Sequence, residues 1–196
     1  MTIDSNPTQT NDGISAEGNQ NKFLSFSLGH EEYGVEILKV REIIGVLDIT
    51  PLPQTPDYVK GVINLRGKII PVIELRRKFN MPSVEYTEET CIIVVEVQNP
   101  LTDDNFQMGV IVDSVSEVRN ITRSQIEPAP DFGSALNTNY IMGMGKVKAG
   151  ENTMVLILLD IDKVVSLEGL SEIAPKAGGS SEPTDLNQGS ALPAAA

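Results

Sequence analysis

Few residues in this chain could carry out chemistry. It has one histidine, His30, and one cysteine, Cys91. His30 sits beside Glu31 and Glu32 between two β-rich runs. A Ser-His-Asp arrangement would have to use it, since no other imidazole can serve as base. A solvated turn residue is the simpler reading. One Cys and one His cannot complete an ordinary structural zinc site. Cys91 opens an apolar run and reads as a small packed side chain rather than a nucleophile. A lone cysteine forms no intramolecular disulfide, which fits a reducing compartment. No phosphate-cradling loop is present, and Gly143-Met144-Gly145 is only a fragment of a dinucleotide-binding turn.

Asp160 is the one carboxylate in a suggestive setting. It ends the apolar run Met154-Val-Leu-Ile-Leu-Leu, like the phosphoacceptor that closes a strand in receiver domains. A receiver alternates strands with helices and carries an acidic pair after its first strand. Here the early pair, Glu31-Glu32, lies in a hairpin. Asp160 therefore reads as the N-cap of a helix over 160–167, with Ile161, Val164 and Val165 on one face. A small phosphoreceiver acting through Asp160 is the alternative.

Binding chemistry is better represented. The segment Gly61-Val-Ile-Asn-Leu-Arg-Gly-Lys-Ile-Ile-Pro-Val-Ile-Glu-Leu-Arg76 predicts a β-hairpin with Arg66 at its tip. Gly67 supplies the positive φ that a tight turn needs. Pro71 cannot donate to a strand ladder, which predicts an edge strand or a bulge there. Lys60, Arg66, Lys68, Arg76, Arg77 and Lys78 form a basic cluster in an acidic chain. They read either as a solvated rim or as a surface for an acidic partner.

The elements that must position these residues are short. Strands are predicted over 23–28, 33–37, 59–64, 68–75, 91–97, 108–112 and 154–159, with helical turns near 74–79. The chain also repeats itself. Tyr33-Gly34-Val35 through Glu42-Ile43 matches Met108-Gly109-Val110 through Glu117-Val118. Ile49-Thr-Pro-Leu-Pro53 matches Ile126-Glu-Pro-Ala-Pro130, and Tyr58-Val59-x-Gly61 matches Tyr140-Ile141-x-Gly143. The favoured reading is two related halves, about 22–80 and 88–168, each a small barrel, in a domain spanning 22–171. Residues 1–21 and 172–196 lack apolar periodicity and are predicted to be disordered tails.

The formal charge of −12 argues against nucleic acid or an anionic membrane as the main partner. No secretory signal is visible, and Met154–Leu159 is too short an apolar run to span a bilayer. The expectation is a cytoplasmic protein.

These motifs resemble the CheW family of chemotaxis coupling proteins. The resemblance rests on Phe23-Leu-Ser-Phe-Ser-Leu-Gly29, Glu32–Ile43, Lys60–Gly67, Pro71–Arg76, Gly109–Val118 and Ile126–Pro130, and covers roughly 22–170. It implies a mainly β fold of two SH3-like five-stranded barrels with a few short helices, their ends open to exchange. It implies a non-enzymatic adaptor without metal or cofactor, linking transmembrane chemoreceptors to the histidine kinase CheA. Recruitment to membrane-associated receptor arrays and self-association in array rings follow from the same resemblance. It places Val40, Glu42, Arg66, Cys91 and Val118 in a receptor groove, with an apolar floor and an ionic rim. Ordinary barrel packing is the other reading of the valines. It places the kinase surface on loops near Gly45, Leu47 and Gly61. Gln98–Gln107 departs from the family as a long polar loop.

Overall fold

The structure is a computed structural model and describes residues 22–98, 104–129, 138–149 and 152–166. The expected tails lie outside these residues, as do Pro130 and Leu167.

The elements in chain order are β1 (Lys22–Leu28), β2 (Glu31–Glu36), β3 (Val40–Gly45), β4 (Val59–Leu65), β5 (Lys68–Glu74) and α1 (Leu75–Lys78). Then come β6 (Cys91–Gln98), β7 (Asn105–Val112), β8 (Ser114–Asn120), β9 (Ile126–Glu127), β10 (Ile141–Ala149), β11 (Asn152–Leu159) and α2 (Ile161–Ser166). They form a mainly β fold of two SH3-like barrel subdomains. One sheet has the order β8-β1-β2-β11-β10-β9, the other β3-β6-β7-β5-β4. The two-residue β9 makes the first sheet six-stranded rather than five-stranded.

The sequence repeat becomes a structural one. β8, β1, β2, β11 and β10 correspond in order to β3, β6, β7, β5 and β4. In both sheets β11–β2 and β5–β7 are the parallel pairs and all others are antiparallel. β9 against β10 has its counterpart in the single bridge Thr50↔Val62. Each sheet combines strands from both sequence halves. β1 and β2 join β8–β11, whereas β6 and β7 join β3–β5.

Three apolar clusters follow from this arrangement. Ile63, Ile70, Val72, Ile92, Val94 and Ile111 fill one barrel. Phe23, Ile121, Val147, Leu156 and Leu158 fill the other. A larger cluster lies between the sheets, with Leu24, Phe26 and Leu28 meeting Ile93, Val95 and Val110. β6 shows why its sequence is almost wholly β-branched. Ile92 and Val94 point into a barrel, and Ile93, Val95 and Val97 point between the sheets.

Two expectations are corrected. Pro71 lies on neither an edge strand nor a bulge, since β5 sits between β7 and β4. Val62 spends its backbone groups on Thr50, so the opposite Pro71 turns its nitrogen away from β4. The ladder to β7 begins only at Val72↔Gly109, which leaves no donor required at Pro71. The polar segment Gln98–Gln107 is also not all loop. Pairing of β6 with β7 runs out to Gln98↔Asn105.

Candidate functional site

β3 and β8 each end one sheet, and their registers decide what they present. Residues opposite one another in an antiparallel pair project from the same face. Val40 is opposite Val95, Ile43 opposite Ile93, and Cys91 opposite Gly45. Val118 is opposite Leu24. Val95, Ile93 and Leu24 all belong to the core between the sheets. Val40, Ile43, Cys91 and Val118 therefore share the inter-sheet face. Val40 and Cys91 are half-buried against that core. Ile43 and Val118 are 45% and 49% exposed, large for β-branched apolar side chains. Burial raises the Cys91 thiol above its ordinary pKa, so it stays protonated and apolar in character.

Arg66 and Glu42 meet directly. Arg66 Nη1 and Nη2 donate to Glu42 Oε1 and Oε2 at 3.1 and 2.8 Å. This fork-on-carboxylate geometry joins the tip of the β4–β5 hairpin to β3. Glu42 is opposite Val94, whose side chain enters the barrel interior, so the ion pair lies on the other face of β3 from Val40 and Ile43. The five expected groove residues thus divide into an apolar strip and an ion pair across the strand. Val118 belongs to the other sheet's end strand.

The hairpin tip has the two-residue form that matches strand twist. Arg66 and Gly67 both have positive φ, 51° and 85°, between the paired residues Leu65 and Lys68. The Gly67 N–H donates to Asn64 Oδ1 at 2.9 Å. The turn holds Arg66 out into solvent, 76% exposed at its side chain.

Of the residues expected near the kinase surface, Gly45 ends β3 and Leu47 is exposed in the connection that follows. Gly61 is not in a loop. It lies buried in β4, at a bulge.

The basic cluster separates into different tasks. Lys60 and Arg77 flank the buried Glu74 carboxylate at 3.5 and 3.1 Å. Lys78 Nζ sits 3.9 Å from the Tyr58 ring centroid. Arg76 pairs with Asp113. His30 occupies the exposed turn between β1 and β2. Asp160 Oδ1 accepts from the Lys163 N–H at 3.3 Å and its Oδ2 pairs with Lys163 Nζ at 2.9 Å. That is the geometry of a cap on α2. Among the described residues no group of His, Cys, Asp and Glu could hold a metal ion. No helix among them is long and apolar enough to cross a membrane.

Comparison with known proteins matches this geometry to a family. The family model described as a CheW-like domain matches residues 22–169. The chain belongs to the CheW-like family. It is 45% identical over 150 residues to the chemotaxis protein CheW of Klebsiella aerogenes, covering 76% of this chain and 84% of that one. It is 31% identical to the chemotaxis protein CheV3 of Helicobacter pylori, covering 74% of this chain and 44% of that one. The crystal structure of the scaffolding protein TtCheW from Thermoanaerobacter tengcongensis superposes with a TM-score of 0.63 at 34% identity. That match covers 76% of this chain and 94% of TtCheW.

Ile43 is the functional candidate that sequence reasoning passed over. The repeat held the signal, because it aligned Ile43 with Val118 and only Val118 was singled out. In this CheW-like fold the two occupy equivalent places on equivalent end strands.

Proposed function

We propose that this protein is a non-enzymatic adaptor of chemotaxis signalling. It couples the cytoplasmic tips of transmembrane chemoreceptors to the histidine kinase CheA. The observation that carries this reading is the apolar strip on the inter-sheet face, with Ile43 and Val118 exposed on the end strands of the two sheets. A receptor tip presents helices, and an amphipathic helix lays an apolar stripe into such a groove. Arg66, held out by its turn and paired with Glu42, offers a charge across β3 from that strip. The names of the chemotaxis and scaffolding relatives support the same role. On this reading the protein is cytoplasmic and is drawn to receptor arrays. Its kinase contacts use the Gly45–Leu47 end of the barrel, close to the strand that Gly61 shapes.

The test is co-purification with a receptor cytoplasmic fragment and with the CheA regulatory domain. Val118→Asp and Arg66→Glu should each weaken receptor capture while leaving the fold intact. Unchanged capture by both variants would overturn the groove assignment. A stable phospho-adduct at Asp160 after incubation with a phosphodonor would favour a phosphoreceiver instead.

A further inference from the structure

The two halves differ at one place that their shared architecture should have made alike. In the first sheet the parallel ladder of β11 with β2 begins at Leu156↔Glu32 and includes Ile157↔Tyr33. The equivalent ladder of β5 with β7 begins two residues later, at Val72↔Gly109. The residue equivalent to Ile157 is Pro71. Ile157 has an N–H for the neighbouring strand, and Pro71 has none. The ladder stops where its donor is missing, and the two strands part.

A cleft of about 500 Å³ opens between them. Ile69, Ile70 and Pro71 form one lip, and Asn105, Phe106 and Gln107 form the other. Alternation along the strands fixes which backbone groups face it. Pro71 is turned away from β4, so Ile69 is too. On β7, Gln107 stands two residues before Gly109, the first residue that β5 meets. Neither Ile69 nor Gln107 has a strand partner on the cleft side among the described residues. These are open edges inside a sheet, not at its margin.

The side chains define what would suit them. Ile69 is 62% exposed, above every other large apolar side chain described. Lys68 makes no ion pair among the described residues, in a protein whose net charge is −12. Glu96, also on the cleft wall, is already paired with Arg41. Among the residues that line the cleft, the one charge without an ion pair is therefore positive. Edge lysines often guard strands against pairing, and an acidic residue in the incoming chain would neutralise that guard.

The geometry points to this cleft as a docking site for an extended segment of another protein. The segment would alternate apolar and acidic residues, add as a strand to the free edge at Ile69 or Gln107, and set a carboxylate against Lys68. The site lies outside the inter-sheet groove and does not rest on the adaptor reading.

The probe is the capped peptide Glu-Val-Glu-Val-Glu-Val, titrated into the ¹⁵N-labelled full chain up to about 1 mM, the weak end of specific affinity. Its control is Lys-Val-Lys-Val-Lys-Val. The acidic peptide should shift the amides of Ile69, Asn105 and Gln107, and Lys68→Glu should weaken it about tenfold, as expected for one charge pair. Pro71→Val should restore the ladder seen in the other half. It should protect residue 69 or 71 from hydrogen exchange and abolish peptide binding. Equal binding of the two peptides, no shift at these amides, or undiminished binding to Pro71→Val would overturn the proposal. So would shifts at Ile69 and Gln107 on deleting residues 167–196 or on diluting the protein, because the occupant would then be this chain itself.

Discussion

Arg76 grips Asp113 with two hydrogen bonds, Nε to Oδ1 at 2.6 Å and Nη2 to Oδ2 at 2.5 Å. Arg76 belongs to α1, which follows β5 of one sheet. Asp113 lies in the crossover from β7 to β8, between the sheets. Asp113 Oδ2 also accepts the Gly29 N–H of the β1–β2 turn at 2.7 Å. One carboxylate thus ties three connections together across the two barrels. Burial on its own would raise the Asp113 pKa. Hydrogen bonds from Arg76 and the Gly29 N–H, with the Arg76 charge, outweigh that and hold it below the usual range. A depressed carboxyl pKa stabilises the folded state above the unfolded value, near 3.9, and that contribution is lost as pH falls through the folded one. Asp113→Asn should lower stability by about 1.5–3 kcal/mol at pH 7, the range for hydrogen bonds to a charged group. The gap between variant and parent should narrow below about pH 4. Urea unfolding at a series of pH values measures it; a gap independent of pH would show that Asp113 is not ionised in this role.

Two glycines of the hairpin should respond differently to alanine. A Cβ at Gly61 would lie 2.0 Å from the Thr50 carbonyl oxygen, and φ there is 138°. On the other side of β4 from β5, the Thr50 and Val62 backbones exchange two 2.9 Å hydrogen bonds, so neither segment can retreat cheaply. Gly67 has φ of 85° but open space around a Cβ. Gly67→Ala should cost about 1 kcal/mol from backbone strain alone. Gly61→Ala adds a backbone clash and should cost about 3 kcal/mol or more. Thermal unfolding of the two variants decides between them. Gly143 repeats the arrangement, with a Cβ 2.7 Å from the Glu127 carbonyl oxygen.

Phe79 joins α1 to the other sheet through its ring. It stacks between Tyr33 and Tyr140, with centroids 5.9 and 5.1 Å away, and Tyr33 stacks in turn on Phe26 at 5.9 Å. The two tyrosines belong to the β2 and β10 side of the molecule, so this stack fastens the barrels where charges do not. Phe79→Leu keeps the apolar volume but loses two ring pairs. It should cost about 1–3 kcal/mol, summing the usual worth of two aromatic pairs. A change under about 0.5 kcal/mol in denaturant titration would mean that only the apolar volume matters there.

The fold was most legible where a strand is a nearly continuous apolar run, as in β6, whose two faces are both buried, and β11. Residues 91–97 and 154–159 are almost wholly Ile, Leu and Val, and each became a strand close to its expected bounds. β3, β8 and β10 were harder to see. Ser-Val-Ser-Glu-Val-Arg-Asn and Ile-Met-Gly-Met-Gly-Lys-Val-Lys-Ala carry polar residues and glycines because they run along or near sheet ends. The repeat was visible in side-chain types. Its effect on strand order was not, since a parallel pairing such as Ile157↔Tyr33 leaves no local mark in sequence. Pro71 misled for a related reason. A proline is forbidden only where its nitrogen must donate, and which way it faces depends on Thr50, far away in sequence. At the candidate site the residue types were readable. The split of Val40 and Glu42 onto opposite faces was not, because the bulge at Arg41 sets the register.

The groove residues should separate binding from stability. The Arg66 side chain is 76% exposed, and exposed ion pairs contribute under about 1 kcal/mol. Arg66→Glu places two carboxylates at the hairpin tip, yet solvent screens them, so the variant should unfold within about 1 kcal/mol of the parent. Ile43 and Val118 are about half exposed, so replacing either with Asp forfeits little packing. If the inter-sheet face receives an apolar helix, a buried unpaired carboxylate there is costly, and affinity for a receptor cytoplasmic fragment should fall by about tenfold or more. Ile43→Asp and Val118→Asp should act alike, since the repeat gives them equivalent places on β3 and β8. Arg66→Glu should act chiefly on the association rate and depend on salt, as a rim charge does. Calorimetry against the fragment at low and high salt separates the two effects. Full affinity in Ile43→Asp, with Val118→Asp impaired, would confine the contact to β8 and remove β3 from the groove.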